Sequence, residues 1–199
     1  MRLGFLEFIK EDTIEASTKA GTMSLWHGGN LENESEATKK QAKGRFEYAP
    51  GLYLTTHYDT AKGYSKGSRK LYLITIEKGN SLEDSLIDIE DVIKFVKSTI
   101  VKKDQSLILD RLEKYLSSGK IKGYIFVNIL LNNKLIKESN SDKLRDFLIS
   151  QDIDYSVVPN AFGWGETMIV LFNMKKIKEK IIVKPNDKII EFDLPTGFN

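Results

Sequence analysis

The chain contains no cysteine. That absence excludes disulfides, zinc–thiolate sites and cysteine nucleophiles together, and it suits a reducing compartment. A surplus of one charge is missing too. Thirty Lys and Arg stand against 28 Asp and Glu, a formal net charge of +2, and so near a balance gives no argument by itself for a nucleic-acid partner. No apolar run reaches the roughly 18–20 residues of a membrane-spanning helix. The one candidate leader, Leu3–Ile9, is broken by Lys10, Glu11 and Asp12, without the basic-then-apolar pattern of a signal segment. A cytoplasmic protein with no membrane partner is the expectation. Internal repeats and low-complexity tracts are also lacking. Histidine is scarce, with His27 and His57 the two in the chain.

What is present is ordinary for a globular protein: 199 residues, 41% hydrophobic and 29% charged. That length predicts a single domain, 1–199, with room for one insertion and a good core. Met23–His27 reads as a strand ending at two glycines, and Glu34–Lys43 as a short surface helix or loop. Gly51–Thr55 reads as a second strand. Tyr58–Tyr64 reads as a helical turn with Asp59 near its start, and Lys70–Glu77 as an alternating strand. From Ile89 the period changes. Ile89, Val92, Ile93, Val96 and Ile100 are spaced as on a helix, and Leu109, Leu112 and Leu116 share one face of Leu107–Leu116. Tyr124–Leu131 is apolar at most positions, which leaves helix and buried strand both open. Ser141 reads as the N-cap of a helix running to Ser150. Asp154–Val158, Thr167–Phe172 and Lys180–Val183 read as strands, and Lys184–Asn199, with Pro185 and Pro195, as an edge strand plus a tail. Strands, then a mainly helical block at about 85–150, then strands again predict the α+β class.

Three segments carry side chains suited to chemistry. They are Trp26-His27-Gly28-Gly29, then Gly51-Leu52-Tyr53-Leu54-Thr55-Thr56 running on to Gly63-Tyr64-Ser65, and Gly165-Glu166-Thr167-Met168-Ile169-Val170. A neutral imidazole forms hydrogen bonds without carrying charge. A glycine after it lets a ligand come close to the backbone. Two tyrosines match the faces of a flat cationic ring, and a Glu at a strand start sets a carboxylate against a developing cation. Singly, each has a plainer reading: a structural or exposed His, two core aromatics, a solvent-facing Glu at a strand edge. Their joint order points to function.

In that order the segments resemble the NAD-binding core of the ADP-ribosyltransferases, in the class with a His-Tyr-Glu triad that includes the diphtheria-toxin-like enzymes and the poly(ADP-ribose) polymerases. The likeness covers Met23–Glu77 and Asp154–Val183, about half the chain. It implies a split β-sandwich with NAD in the cleft between two small sheets, the helical block being an insertion. It implies that NAD is a co-substrate, with no metal. Glu166 would be the catalytic carboxylate, bonding the nicotinamide-ribose 2′-hydroxyl and stabilising a transition state like the oxocarbenium ion of glycosidases. His27 would donate to the adenosine ribose, the Gly28 backbone would clamp the carboxamide, and Tyr53 and Tyr64 would sandwich nicotinamide. His57 lacks such a context. Three departures stand out. Gly29 replaces a common Ser or Thr, Ala61 replaces the polymerases' Ser, and Trp164 takes the place of the Glu or Gln of arginine- or asparagine-modifying toxins. The first two lean toward mono-ADP-ribosyl transfer.

The loop Pro159–Gly165, with Phe162 and Trp164, would face the acceptor. Such aromatics stack on a base, anchor a protein surface, or tuck into the core. Lys62, Lys66, Arg69 and Lys70 would hold the NAD pyrophosphate or an acceptor phosphate, or form a solvated basic edge. The expected activity is mono-ADP-ribosyl transfer to a protein, RNA or DNA acceptor, by a toxin, phage-defence or phage-encoded effector with an antitoxin or immunity partner. The alternatives are an NAD glycohydrolase, a non-catalytic NAD- or ADP-ribose-binding module, and an interaction protein whose helical block binds a partner.

Overall fold

The structure, a computed structural model, describes residues 21–31, 48–66, 69–161 and 165–184. Strand β1 (Thr22–Gly29) buries Met23 and Leu25 on one face and Ser24 and Trp26 on the other. Strand β2 (Leu52–Thr55) is short, and helix α1 (Tyr58–Tyr64) follows it directly. Strand β3 (Lys70–Glu77) buries its six central residues, so both of its faces are covered. The helical block then begins. It comprises β4 (Leu86–Asp88), α2 (Ile89–Thr99), α3 (Lys102–Glu113), β5 (Lys120–Lys122), α4 (Gly123–Asn132) and α5 (Glu138–Ser150). The chain returns to strand in β6 (Tyr155–Pro159), β7 (Thr167–Leu171) and β8 (Ile177–Val183). This is a mixed α+β fold. Among the described residues no helix is long and apolar enough to cross a membrane.

The six long strands form one antiparallel sheet in the order β6-β7-β2-β1-β3-β8. Its middle is thin. β1 and β2 meet through a single residue pair, Trp26 opposite Thr55, whereas β1 and β3 pair all the way from Thr22–Glu77 to Gly29–Lys70. The sheet is thus two three-stranded halves with a seam between them. One core cluster draws Met23, Leu25, Tyr72 and Ile74 from one half and Leu52, Leu54, Ile169 and Leu171 from the other, so the halves pack on each other. Opposite the seam, the chain leaving β3 reaches the edge of β6. Ser81 bridges to Tyr155 there, and the Leu82 amide donates to the Tyr155 carbonyl at 2.8 Å. On the other face of β1, α1 packs Tyr58 and Ala61 against Trp26, Leu71 and Leu73. The Trp26 and Tyr58 rings meet edge-on at 5.1 Å.

The helical block shares a core with β7. Val92, Val96, Ile108, Leu112, Phe126, Leu130, Leu144 and Leu148 pack together with Met168, Val170 and Phe172. Phe95, Phe126 and Phe147 form an aromatic trio with centroids 4.7–5.7 Å apart. Tyr124–Leu131 is helical, burying Phe126, Val127 and Leu130, the i, i+1, i+4 face of α4. Helix α3 starts at Lys102 and buries Ile108 with Leu112; Leu116 lies beyond its end. Ser141 is not a cap. The helix begins at Glu138, the Asn140 side chain accepts from the Lys137 amide at 2.7 Å, and the buried Ser141 hydroxyl donates back to the Glu138 carbonyl. The β4–β5 ribbon went unread because each strand has three residues with one buried position. Residues 34–43 and 185–199 lie outside the described residues.

Gly28 faces α1, and a Cβ there would overlap the Ala61 carbonyl and stand 3.0 Å from the Ser65 amide nitrogen. Both obstacles are backbone, so the helix itself must move. Gly28→Ala is expected to destabilise the fold by about 1–3 kcal/mol, the scale of overpacking. Gly63→Ala, with nothing within 4 Å of its Cβ inside the same helix, is expected to be neutral or to stabilise by up to about 1 kcal/mol. Urea midpoints of the two variants check this, and equal shifts would remove the packing explanation.

Candidate active site

His27 stands where β1 runs out along the seam. Its Nδ1 lies 2.8 Å from the Tyr53 carbonyl oxygen on β2. A carbonyl only accepts, so Nδ1 carries the hydrogen and donates. Burial holds the imidazole below the ordinary histidine range, and the bond to Tyr53 offsets that in part. The ring is therefore neutral, and Nε2 presents a lone pair. The adenosine-ribose contact expected of His27 is thereby reversed in polarity: Nε2 accepts and the ligand must donate. Nε2 is shielded from solvent and has no hydrogen-bond partner among the described residues. Gly29 keeps the space beside it clear, since a Cβ there would stand 2.6 Å from Nε2. The stability that neutral His27 contributes is full above the unfolded histidine pKa, about 6.5, and is lost as pH falls below it.

Tyr53 lies on β2 opposite Val170 of β7. Its hydroxyl donates to the Ala49 carbonyl at 2.8 Å, and its half-buried ring borders the helical core. Tyr64, at the end of α1, is 54% exposed. One tyrosine is thus fixed by main-chain contacts and the other is presented to solvent. Lys62, two residues before Tyr64, lies over the Tyr58 ring at 5.8 Å. Gly28 serves helix packing first; its glycine is required by α1 whatever the ligand.

Glu166 precedes β7 and is 2% exposed. A carboxylate at that depth is costly unless hydrogen bonded, and the segment after β2 supplies the bonds. The Thr55 hydroxyl donates to Oε1 in a very short contact. The Thr60 hydroxyl, from α1, donates to Oε2 at 3.0 Å. His57 brings Nδ1 to 3.8 Å from Oε2, and its amide donates to Thr55 Oγ1 at 3.0 Å. Thr56 and Thr167 carry the β2–β7 register past the strand ends through Thr56 N to Thr167 O and Thr167 N to Thr56 Oγ1, each 3.0 Å. By strand alternation Glu166, Thr55 and Tyr53 share one face of the sheet, and His27 starts from the other.

Phe162 and Trp164 lie outside the described residues. The ends of their loop are fixed: Asn160 and Gly165 have positive φ (51° and 78°), and the Ala161 amide donates to the Glu166 carbonyl at 3.1 Å. A separate cavity of about 440 Å³ is lined by Asn80, Glu83, Tyr155, Val157 and Thr167, on the face away from Glu166. Sequence reasoning missed Thr55, Thr60 and His57 as partners of Glu166. The available signal was polar Thr55-Thr56-His57 at the end of a buried strand, with Thr60 in the first turn of the helix that follows.

Thr55→Val keeps the shape and removes one donor to a buried carboxylate, so a loss of about 1–3 kcal/mol in unfolding free energy is expected. A double-mutant cycle with Glu166→Gln should give a coupling of about 0.5–3 kcal/mol. Strict additivity in chemical denaturation would show that the two side chains do not interact. Comparison with protein-family models, with curated proteins and with solved structures gives no match.

Proposed function

We propose that this chain is a mono-ADP-ribosyltransferase of the His-Tyr-Glu class, splitting NAD at the nicotinamide–ribose bond and passing ADP-ribose to a macromolecular acceptor. The observation that carries the proposal is Glu166, a buried carboxylate held by two hydroxyls at the start of β7. Tyr53 shares its face on the neighbouring strand, and His27 is bonded to Tyr53 across the seam. Two half-sheets joined by one residue pair fit the split β-sandwich of that class, with the helical block as an insertion. A role as a toxin, phage-defence or phage-encoded effector rests on analogy with small stand-alone members.

In this reading, the electron pair of the ribose C1′–nitrogen bond moves onto nicotinamide, which leaves neutral, and positive charge develops on the ribose. Glu166 faces that charge and accepts from the ribose 2′-hydroxyl. A carboxylate has about four lone-pair sites, so the two threonine hydroxyls leave capacity for it. Their bonds also fix the carboxylate before the reaction, which is the condition for electrostatic stabilisation without reorganisation. His27 Nε2 accepts from the adenosine ribose. Tyr53 and Tyr64 take the nicotinamide faces, and the Gly28 backbone meets its carboxamide. The segment from Pro159 to Gly165, with Phe162 and Trp164, is assigned to the acceptor by its sequence resemblance alone.

Glu166→Gln keeps the hydrogen-bonding shape and removes the charge. Nicotinamide release from NAD should fall roughly 10²–10³-fold with NAD binding retained; release at the native rate would sink the assignment. Tyr64→Ala should weaken NAD binding by about 1–2 kcal/mol and ADP-ribose binding far less, and equal calorimetric losses would remove the stacking role. Labelled NAD incubated with the protein and a cell lysate, followed by separation of protein from nucleic acid, assigns the acceptor. Label in neither fraction with nicotinamide released would mark a glycohydrolase. Bound but uncleaved NAD would mark a binding module.

A further inference from the structure

Nicotinamide is bonded directly to the ribose C1′, and the 2′-hydroxyl sits on the next ribose carbon. A substrate stacked on Tyr64 and bonded to Glu166 therefore fixes the separation of those two contacts by its own covalent frame. The protein must match it, because an error in that spacing falls on the reacting bond. Yet the two residues stand on different parts of the fold. Glu166 precedes β7, in the half-sheet β6-β7-β2, whereas Tyr64 ends α1. Helix α1 follows β2 in the chain but packs on the other half, where Tyr58 and Ala61 join Trp26, Leu71, Leu73 and Val183. A side-chain bond runs from that helix to the carboxylate: the Thr60 hydroxyl donates to Glu166 Oε2 at 3.0 Å. We propose that Thr60 is a positioning residue, whose bond to Glu166 sets the nicotinamide platform on α1 in register with the carboxylate ahead of β7. The proposal rests on the function inferred above.

Thr55 and Thr60 both donate to Glu166, but their tasks differ. Thr55 lies on β2 opposite Met168 of β7, so its bond to Oε1 stays within one half-sheet. Its Oγ1 also accepts from the His57 amide at 3.0 Å, which leaves its own hydrogen for the carboxylate. That bond holds Glu166 on its own strand pair and does nothing to place Tyr64. Thr60 is in the body of α1, four residues before Tyr64. Side chains at that spacing lie on one helix face, about 5–6 Å apart at Cβ. The far end of α1 is seated on β1, since a Cβ at Gly28 would stand 3.0 Å from the Ser65 amide nitrogen. The near end has no side-chain cap. A helix of seven residues, seated on one half-sheet, is thus held toward the other by the Thr60 hydroxyl. The His27 bond to the Tyr53 carbonyl, at 2.8 Å, also joins the two halves, directly from β1 to β2.

The test uses the full chain with NAD, following nicotinamide release at saturating NAD and, separately, NAD affinity by calorimetry. Thr60→Val keeps the shape and removes the donor. Its rate should fall about 10²-fold, the scale of a misplacement of about 1 Å, with affinity kept within about threefold, a split that separates positioning from binding. Thr60→Ser keeps the hydroxyl and should hold the native rate within about threefold. Thr60→Ala, with a better helix former, takes the place of the valine variant should that one not fold. In a Tyr64→Ala background the loss of the Thr60 hydroxyl should cost about tenfold less than in the native chain, because the platform it registers is gone. A native protein that releases no nicotinamide would overturn the functional reading and this role with it. An active native protein would overturn the role of Thr60 alone in any of three ways: its folded Thr60 variants keep the rate within about threefold, they lose rate and affinity in step, or their losses simply multiply with that of Tyr64→Ala.

Discussion

Between β1 and β2 the main chains share one residue pair, Trp26 opposite Thr55, and past that pair the strands diverge. An exposed carbonyl at a parting of strands must find a donor or water. Tyr53 finds the His27 imidazole, at 2.8 Å. That bond does three things at once. It ties the half-sheets where the ladder cannot, it fixes the histidine tautomer, and it leaves a buried lone pair on Nε2. The seam between the strands and the arrangement of the polar groups at its edge are thus consequences of the same geometry.

The carboxylate obeys a parallel logic. Glu166 is nearly inaccessible, and an ion there is tolerated because Thr55 and Thr60 approach it from a segment held in register by Thr56 and Thr167. Position and orientation of the group are both decided by the turn from β2 into α1. One histidine, two threonines and a carboxylate are thus brought together where adjoining strands end.

Much of this was legible in the sequence, for physical reasons. The bounds of β3, Lys70–Glu77, are those predicted, because a charged residue closes each end of it; the alternation read from the sequence is not kept in burial, since all six central residues are buried. The block of helices announced itself by period. Tyr124–Leu131 did not, since a helix apolar on nearly every side carries little periodicity. Ser141 misled because a serine before an apolar run looks like a cap, while Asn140 one residue earlier binds the helix start. His57 was passed over because its neighbours in sequence say nothing; its importance comes from a residue more than 100 positions away. The polarity of the His27 contact likewise depended on a carbonyl across the seam, and no pattern within β1 encodes it.

Asp154 is buried and binds the Asn80 amide at 3.1 Å, the Asn173 side chain at 2.7 Å and the Lys176 ammonium at 3.3 Å. Asn80 in turn holds Asp152 through its side-chain amide. The chain therefore enters and leaves the helical block through one clasp, with some 70 residues between its two sides. Helices packed on near neighbours form quickly, whereas sheets joining distant segments form slowly. Once the block is made and Asn80 lies beside Asp154, the residues between them drop out of the loop that must close to bring β7 onto β2, and its entropy cost shrinks. The block thus acts as a folding splint: it shortens the path by which Glu166 reaches Thr55, whatever else its surface does.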